Sequence, residues 1–253
     1  MLRNPSRRSF IGGAASVALL SGRGARALGA ATRFDVAELV LASGTATRPA
    51  AWERLLFETI QSTSVECEPR AVALSPEDPA LFAHPFCVLI GTGALPPLSE
   101  AAVEQLRRYL TYGGFLLLDD ASGAPGGAFA RSARALAGRL FPTRPLSPLP
   151  ADHSVYRAFF LLERAVGRAD FGAPLEGVAY RSTTPLMYLP NDLSGALDRF
   201  PDGRERHACV PGGEFQRREA LKLGINLALY SLTSNYKHDQ AHVAALLRQG
   251  KLE

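Results

Sequence analysis

Cysteine is scarce in this sequence. The 253-residue chain contains three cysteines, Cys67, Cys87 and Cys209. An odd and sparse set excludes a disulfide framework, and the three spacings do not match those of metal ligands. Cys87 lies inside an apolar run and is expected to be a small core residue. Cys67 and Cys209 could pair in an oxidising compartment, but their spacing does not decide this.

An excess of charge is also missing once the first residues are set aside. The whole chain has 28 basic and 24 acidic residues, a formal charge of +4 and a pI of about 9.1. Residues 1–27 hold five of the arginines and no acidic residue. Without them, 23 basic residues face 24 acidic ones. No basic footprint for a phosphate backbone remains, so we expect no nucleic-acid partner.

Long hydrophobic runs are absent as well, so no transmembrane segment is expected in the mature chain. The start of the chain instead reads as a targeting segment. Arg7-Arg8, followed by Ser9-Phe10-Ile11, resembles the twin-arginine export consensus. A short, weakly apolar stretch follows, and Ala25-Arg26-Ala27 forms a cleavage site. We therefore expect a signal peptide at residues 1–27 and a periplasmic or secreted protein. An ordinary secretory signal is the alternative.

The first half of the mature chain alternates strand-like and helical segments. Strands that are apolar on both faces, separated by helices, indicate a parallel sheet covered on both sides. The expected strands are Phe34–Leu41, Ala71–Leu74, Phe86–Ile90 and Phe115–Leu118, and the expected helices are Ala50–Ser62, Ser99–Tyr112 and Phe129–Leu140.

The second half is less regular. We expect further strands at Val155–Leu162, Val178–Tyr180 and Pro185–Leu189, a buried helix over residues 214–233 and a last helix from Asp239 to Gln249. No linker-like stretch interrupts residues 28–253, which predicts a single domain. The expected fold is α/β, a doubly wound three-layer sandwich with a mostly parallel sheet.

Five motifs follow one another in a fixed order along the chain. They are Arg107-Arg108-Tyr109-Leu110 leading through Gly113-Gly114-Phe115-Leu116 to Asp119-Asp120, then Phe141-Pro142, then Leu149-Pro150 with Asp152-His153 and Tyr156, then Tyr188 with Asn191-Asp192-Leu193, and finally Leu223-Gly224-Ile225-Asn226 with Tyr230 and Leu232-Thr233. Together they resemble the bacterial domain of unknown function family 4159, and the resemblance covers nearly all of residues 34–233.

The resemblance implies a fold similar to class I glutamine amidotransferases, which is flavodoxin-like, and it implies no particular activity. Members often occur beside MoxR-type ATPases and von Willebrand factor A proteins, which implies an assembly or envelope partner. The chain departs from the family pattern at Ala121-Ser122-Gly123, where an aromatic residue is expected. A ligand contact by that loop is therefore in doubt.

The sequence lacks the nucleophile of an amidotransferase. In enzymes of this fold, a Gly-rich turn supplies oxyanion donors, and the next strand ends in an elbow that carries a cysteine. Gly91-Thr92-Gly93 occupies the first place, but Asp119-Asp120 occupies the second. Thiolate chemistry needs the sulfur beside a histidine, so we exclude amidotransferase activity.

Other candidates for a pocket follow strand ends and loops. Asp119 and Asp120 are expected at the carboxyl edge of the sheet, where open α/β sheets bind ligands, although capping is an equal alternative. Asp152-His153 is interpreted as a general base, a ligand or a lock on its loop, and the lock is favoured. Tyr188, Asn191 and Asp192 follow another strand, where turn chemistry is the stronger interpretation.

No cofactor or metal is expected. His238 and His242 are four residues apart on a helix, but the glutamate of the usual zinc motif is missing. Gly126-Gly127 and Gly212-Gly213 lack the strand–helix context of a nucleotide loop. The favoured hypothesis is therefore an exported, non-catalytic binding or assembly module. The alternative is a periplasmic hydrolase that uses an Asp/His site on cell-wall or carbohydrate material.

Overall fold

The computed structural model describes residues 34–248, with side chains described as far as Thr233. The predicted export signal, with Arg7, Arg8, Ala25 and Ala27, lies outside the described residues. Within the described range, the helices are α1 (Pro49–Ser62), α2 (Glu100–Thr111), α3 (Ala128–Leu140), α4 (Leu193–Leu197) and α5 (Gly213–Arg248). The strands are β1 (Val36–Leu39), β2 (Thr45–Ala46), β3 (Val72–Leu74), β4 (Phe86–Gly91), β5 (Phe115–Asp120), β6 (Ser147–Pro148), β7 (Glu176–Tyr180) and β8 (Thr183–Leu189).

These strands form one mixed sheet in the order β3-β1-β4-β5-β8-β7-β6, and β2 pairs with β4. The five strands from β3 to β8 are parallel, while β2, β6 and β7 run antiparallel to their neighbours. Counted without the antiparallel strands, the order is 2-1-3-4-5, that of flavodoxin-like folds. The predicted α/β fold with a mostly parallel sheet is confirmed.

Helices cover both faces of the sheet, because β4 and β5 are apolar on both sides. Residues of β4 and β5 alternate between two buried clusters. The first face packs against α1, α4 and α5, through residues such as Trp52, Leu193 and Leu223. The second face packs against α2 and α3, through residues such as Leu106 and Leu136. The result is the predicted three-layer sandwich.

The helix ends agree with simple capping rules. Pro49 begins α1, where its missing N–H costs nothing. The Ser99 hydroxyl accepts a hydrogen bond from the Ala102 N–H at 3.0 Å and so caps α2 as expected. The helix predicted over residues 214–233 continues unbroken to Arg248, so the separate last helix predicted from Asp239 is wrong.

One predicted strand, Val155–Leu162, is also wrong. Residues Ser154–Arg157 form a 3₁₀ helix, and the segment that follows is irregular. The Asn226 side chain explains why this segment needs no strand partner. Its amide donates to the carbonyls of Val155 and Phe160, at 2.8 Å each, and its oxygen accepts from the Phe160 N–H at 2.8 Å. The amide thus satisfies backbone groups that a strand would have paired.

Candidate functional site

The carboxyl end of β5 carries two buried carboxylates that point to opposite faces of the sheet. Asp119 accepts hydrogen bonds from the N–H groups of Leu193 and Ser194, at 2.7 and 2.8 Å, and so holds the start of α4. Asp120 accepts from the Tyr188 hydroxyl at 2.7 Å and from the Ser122 hydroxyl at 2.5 Å. Strand alternation separates the two groups, and the chain does not bend to bring them into one cleft.

Asp192 stands at the centre of the polar contacts on the first face. It begins α4 with a left-handed backbone, φ 57°, and its side chain accepts from the Gly195 N–H at 2.9 Å. Two arginines bind the same carboxylate. Arg48 donates from Nη1 to Oδ1 at 2.5 Å, and Arg168 donates from Nε to Oδ2. Since Asp192 is fully buried, these two guanidinium groups supply the charge that compensates it.

Burial and repulsion between carboxylates shape the electrostatics of this cluster. Burial, and then the charge of Asp192, raise the pKa of Asp119 to about 6, although backbone N–H donors act against the rise. Burial also raises the pKa of Glu38. Glu38 accepts from the backbone N–H of Arg48 at 2.5 Å and from the indole of Trp52 at 3.0 Å, so it positions the segment that carries Arg48.

The two arginines form the outer surface of the cluster. Their side chains are 15% and 26% exposed, for Arg48 and Arg168 respectively. Among the side chains and backbone groups that the structure describes, neither Nη1 nor Nη2 of Arg168 has a hydrogen-bond acceptor. Its Nη2 lies 3.8 Å from the position that a Cβ of Gly123 would take, so it borders the loop after β5. These N–H groups are available to an anionic ligand.

His207 lies near the same surface. Burial, followed by the positive charge of Arg48, lowers the pKa of His207. Its Nε2 is 3.7 Å from Oδ2 of Asp198, which is too long for a hydrogen bond. Arg206 binds that same Asp198 oxygen at 3.0 Å, so the carboxylate is already compensated. His207 and Asp198 therefore do not form the hydrogen-bonded pair that a general base requires.

His153 lies at the other edge of the sheet. Its Nε2 is 3.0 Å from the hydroxyl of Thr184, at the beginning of β8, and its Nδ1 accepts from the Val155 N–H at 3.2 Å. Asp119 and Asp120 end β5, which is parallel to β8, so His153 and the two carboxylates lie at opposite edges. Asp152 is exposed. Asp119, Asp120 and His153, each a candidate for a pocket from the sequence, therefore do not meet, because the loop of His153 returns to the amino edge.

The Gly91-Thr92-Gly93 turn has a packing role. A Cβ at Gly91 would lie 1.9 Å from the ring of Phe129, so only glycine fits there. The Thr92 N–H donates to the Gly44 carbonyl at 2.9 Å and is not available as an oxyanion donor. Gly91 pairs with Asp120 across β4 and β5, which keeps this turn beside the second carboxylate.

The contacts of the remaining predicted residues hold neighbouring parts of the fold together. Tyr188 binds Asp120, and Asn191 donates to the Ala165 and Ala173 carbonyls, at 3.3 and 3.1 Å. The cysteines are buried thiols. Burial raises the pKa of Cys87 to about 12, which disfavours a thiolate there.

Sequence reasoning missed Arg48, Arg168 and His207, which come from three separate loops. Only the Pro49 that follows Arg48 marked its position as a helix start. No sequence spacing links these side chains, because each approaches Asp192 from a different part of the chain.

Among the described residues, no group of three or more histidine, cysteine, aspartate or glutamate side chains could hold a metal ion. The side chains of His238 and His242 lie outside the described set. In the same part of the chain, no helix combines the length and apolar character needed to cross a membrane.

Comparison with protein families matches almost the same residues as the described fold. The profile of the family described as "Domain of unknown function (DUF4159)" matches residues 35–232, nearly the whole described fold. No curated protein matches the chain.

Proposed function

Since the chain belongs to the DUF4159 family, whose description assigns no activity, we propose its function from the site itself. It is an exported, non-catalytic binding or assembly module, and the Arg48–Arg168 surface at the carboxyl edge of the sheet binds an anionic ligand. Open α/β sheets bind ligands at this edge.

The proposal of a non-catalytic role depends on one observation: the candidate acid/base groups already have hydrogen-bond partners within the fold. Both oxygens of Asp119 accept from α4, and both oxygens of Asp120 accept from Ser122 or Tyr188. Both ring nitrogens of His153 also have partners. A general base needs a free acceptor within reach of the substrate proton. These groups instead hold structural elements in place.

The anionic charge of the proposed ligand is inferred from the arginine N–H donors that have no acceptor. The Nη atoms of Arg168 have no acceptor within the described residues, and both arginines reach solvent. A guanidinium fork matches the oxygens of a carboxylate or phosphate group. Because Asp192 already fixes one side of each guanidinium, little conformational entropy is lost when a ligand binds the other side.

Export and assembly are the other parts of the proposal. Export depends on the sequence of residues 1–27, with Arg7-Arg8 and the Ala25-Arg26-Ala27 site. An envelope or assembly partner is what the family resemblance implies. The hydrolase alternative needs an aspartate and a histidine in one pocket. The positions of Asp119 and Asp120 at the edge opposite His153 do not favour such a pair.

The test is a titration of the mature protein with inorganic phosphate, acetate and citrate at constant ionic strength. Binding is measured by calorimetry and by the change in melting temperature. We expect at least one anion to bind the wild type and to raise its melting temperature. Arg168→Lys keeps a charge beside Asp192 but loses the free fork, so we expect it to fold and to bind more weakly.

Arg164→Lys is the matched control, because both Nη atoms of Arg164 already bind Asp170 at the surface. It should bind as the wild type does. Absence of binding by all three anions, or unchanged binding by Arg168→Lys, would contradict the proposal.

A further inference from the structure

A groove lies at the amino edge of the sheet, away from the Arg48–Arg168 surface. It is lined by Arg134 and Gly138 of α3 and by residues 141–146, and it encloses about 450 Å³. Helix α3 starts near the carboxyl end of β5, so its last turn, at Gly138, has returned to the amino edge. We refer to this feature as the Arg144 groove.

Arg144 lines this groove, where its Nη1 donates to the Ala179 carbonyl at 3.1 Å, and Arg181 lies outside the lining but contacts the same Tyr180 ring. The guanidinium carbons of Arg144 and Arg181 lie 5.6 and 5.2 Å from the ring centroid of Tyr180. Neither forms an ion pair with any residue in the described range, whereas Arg134 at the groove wall binds Glu176 through two bonds of 2.6 Å. The aromatic ring thus supports two uncompensated positive charges.

Arg181 lies in the two-residue turn of the hairpin between β7 and β8, because Tyr180 pairs with Thr183. Its φ of 53° is the positive value that such a turn requires at its first central residue. From this turn the guanidinium of Arg181 reaches the ring of Tyr180.

Gly138 indicates that the space of the groove is left open. It lies inside α3, where glycine costs about 1 kcal/mol relative to alanine. A Cβ built at Gly138 would meet no atom within 4 Å, so packing within the chain does not require glycine there. Its lack of a side chain widens the groove.

The walls of the groove define what it can take. Phe141, Pro142, Pro145 and Leu146 are apolar, and the two prolines offer no N–H donor. A single oxyanion would bind the arginines but would leave these apolar walls and most of the volume unused. The complementary ligand carries carboxylates next to an apolar side chain.

We propose that the Arg144 groove binds an acidic peptide segment of a partner protein, with its carboxylates on Arg144 and Arg181 and an apolar side chain over Gly138. This interaction goes beyond the anion site proposed above and uses the opposite edge of the sheet. Charge complementarity makes it sensitive to salt.

The test uses a fluorescein-labelled peptide in which glutamate and leucine alternate. Binding is measured as the rise in fluorescence anisotropy when the mature wild-type protein is added. The control peptide has glutamine in place of glutamate. We expect the acidic peptide alone to bind. We expect the double variant Arg144→Gln, Arg181→Asn to weaken binding about tenfold or more, because charge-assisted hydrogen bonds are lost.

Gly138→Leu separates binding from folding. Leucine favours a helix more than glycine does, so the melting temperature should be equal or higher while the filled groove no longer binds the peptide. Arg131→Gln is the matched control, since this exposed arginine of α3 donates to the Gly126 carbonyl and does not line the groove. It should bind normally.

The proposal would be overturned by no binding of the acidic peptide to the wild type, by equal binding of the glutamine peptide, or by full binding to Gly138→Leu. Binding of inorganic phosphate with the same dependence on Arg144, without peptide binding, would overturn it in favour of a small-oxyanion site. Arg168→Lys should leave peptide binding unchanged, so this proposal and the proposed function fail separately.

Discussion

Asp119 and Asp120 are adjacent in the chain, yet their carboxylates hold different elements on opposite faces of the sheet. Asp119 binds the start of α4, and Asp120 binds Tyr188 and Ser122. The pair therefore does not form a carboxylate dyad, in which two groups share a proton and a substrate. Each anchors a loop at the edge where the arginine surface is built.

Gly91, the last residue of β4, and Gly93, in the turn that follows, offer a matched pair of substitutions. Gly91→Ala should lower the free energy of unfolding by about 1–3 kcal/mol, because the new Cβ would overlap the Phe129 ring. Gly93→Ala should have little effect, since a Cβ there meets nothing within 4 Å. Urea unfolding measures both. Equal effects would show that packing against Phe129 does not set the requirement at Gly91.

Tyr188→Phe tests the bond that holds Asp120. The substitution leaves one oxygen of a buried carboxylate without its donor, which should cost about 1–3 kcal/mol of unfolding free energy. Tyr180→Phe is the control, because the Tyr180 hydroxyl has no hydrogen bond among the described residues, and its ring contacts would persist. We expect a change within about 0.5 kcal/mol for the control. Similar losses in both variants would contradict the assignment.

The raised pKa of Asp119 predicts a pH dependence of stability. The folded-state pKa of about 6 exceeds the ordinary 3.8, so the folded protein binds the proton more tightly. This contribution is complete below about pH 4 and is lost as the pH rises through about 6, a change on the order of 3 kcal/mol. The free energy of unfolding should therefore fall more steeply over this window in the wild type than in Asp119→Asn.

Asp170→Asn is the control for that measurement. Hydrogen bonding with Arg164 lowers the pKa of Asp170, so its stabilising contribution is present above its ordinary pKa and is lost as the pH falls. Its substitution should change the slope in the opposite direction and by less, because the Arg164 partner is more than half exposed and solvent weakens the pair. Parallel curves for the wild type and Asp119→Asn would show that Asp119 titrates normally.

Asn226 should be one of the most sensitive polar positions. Its amide makes four hydrogen bonds with the backbone of residues 155–160, and it is fully buried. Asn226→Ala should cost about 2–5 kcal/mol, at roughly 1 kcal/mol for each bond. Asn226→Asp should cost more, because it removes two donors and buries a charge. Melting temperatures close to that of the wild type would disprove this role.

Export can be tested by the processing of the chain in bacteria. Changing Arg7 and Arg8 together to lysine should leave the unprocessed precursor in the cytoplasm, because twin-arginine export depends on both arginines. Arg3→Lys is the matched control and should be processed normally. Fractionation and immunoblotting measure both. Normal processing of the double variant would favour the general secretory route.

Much of the fold was predictable because its signals are local. The apolar strands β4 and β5 and the Ser99 cap are encoded in short stretches of sequence. Strands that are apolar on both faces require helices on both sides, which determined the three layers. The irregular segment after Ser154 was not predictable, because its apolar residues resemble a strand and its true partner, Asn226, lies about 70 residues away.

The site depended on tertiary structure. The sequence identified Asp119, Asp120, Asp192 and His153 as polar residues at loops, and residue types alone excluded a nucleophilic cysteine at the end of β5. Which of them meet was decided by the path of the chain. The loop of His153 returns to the amino edge, and Arg48 and Arg168 converge on Asp192 from positions 144 and 24 residues away. Contacts between distant segments leave no periodic pattern in a single sequence. A buried charge needs a partner that is close in space, and this partner can lie at any distance along the chain.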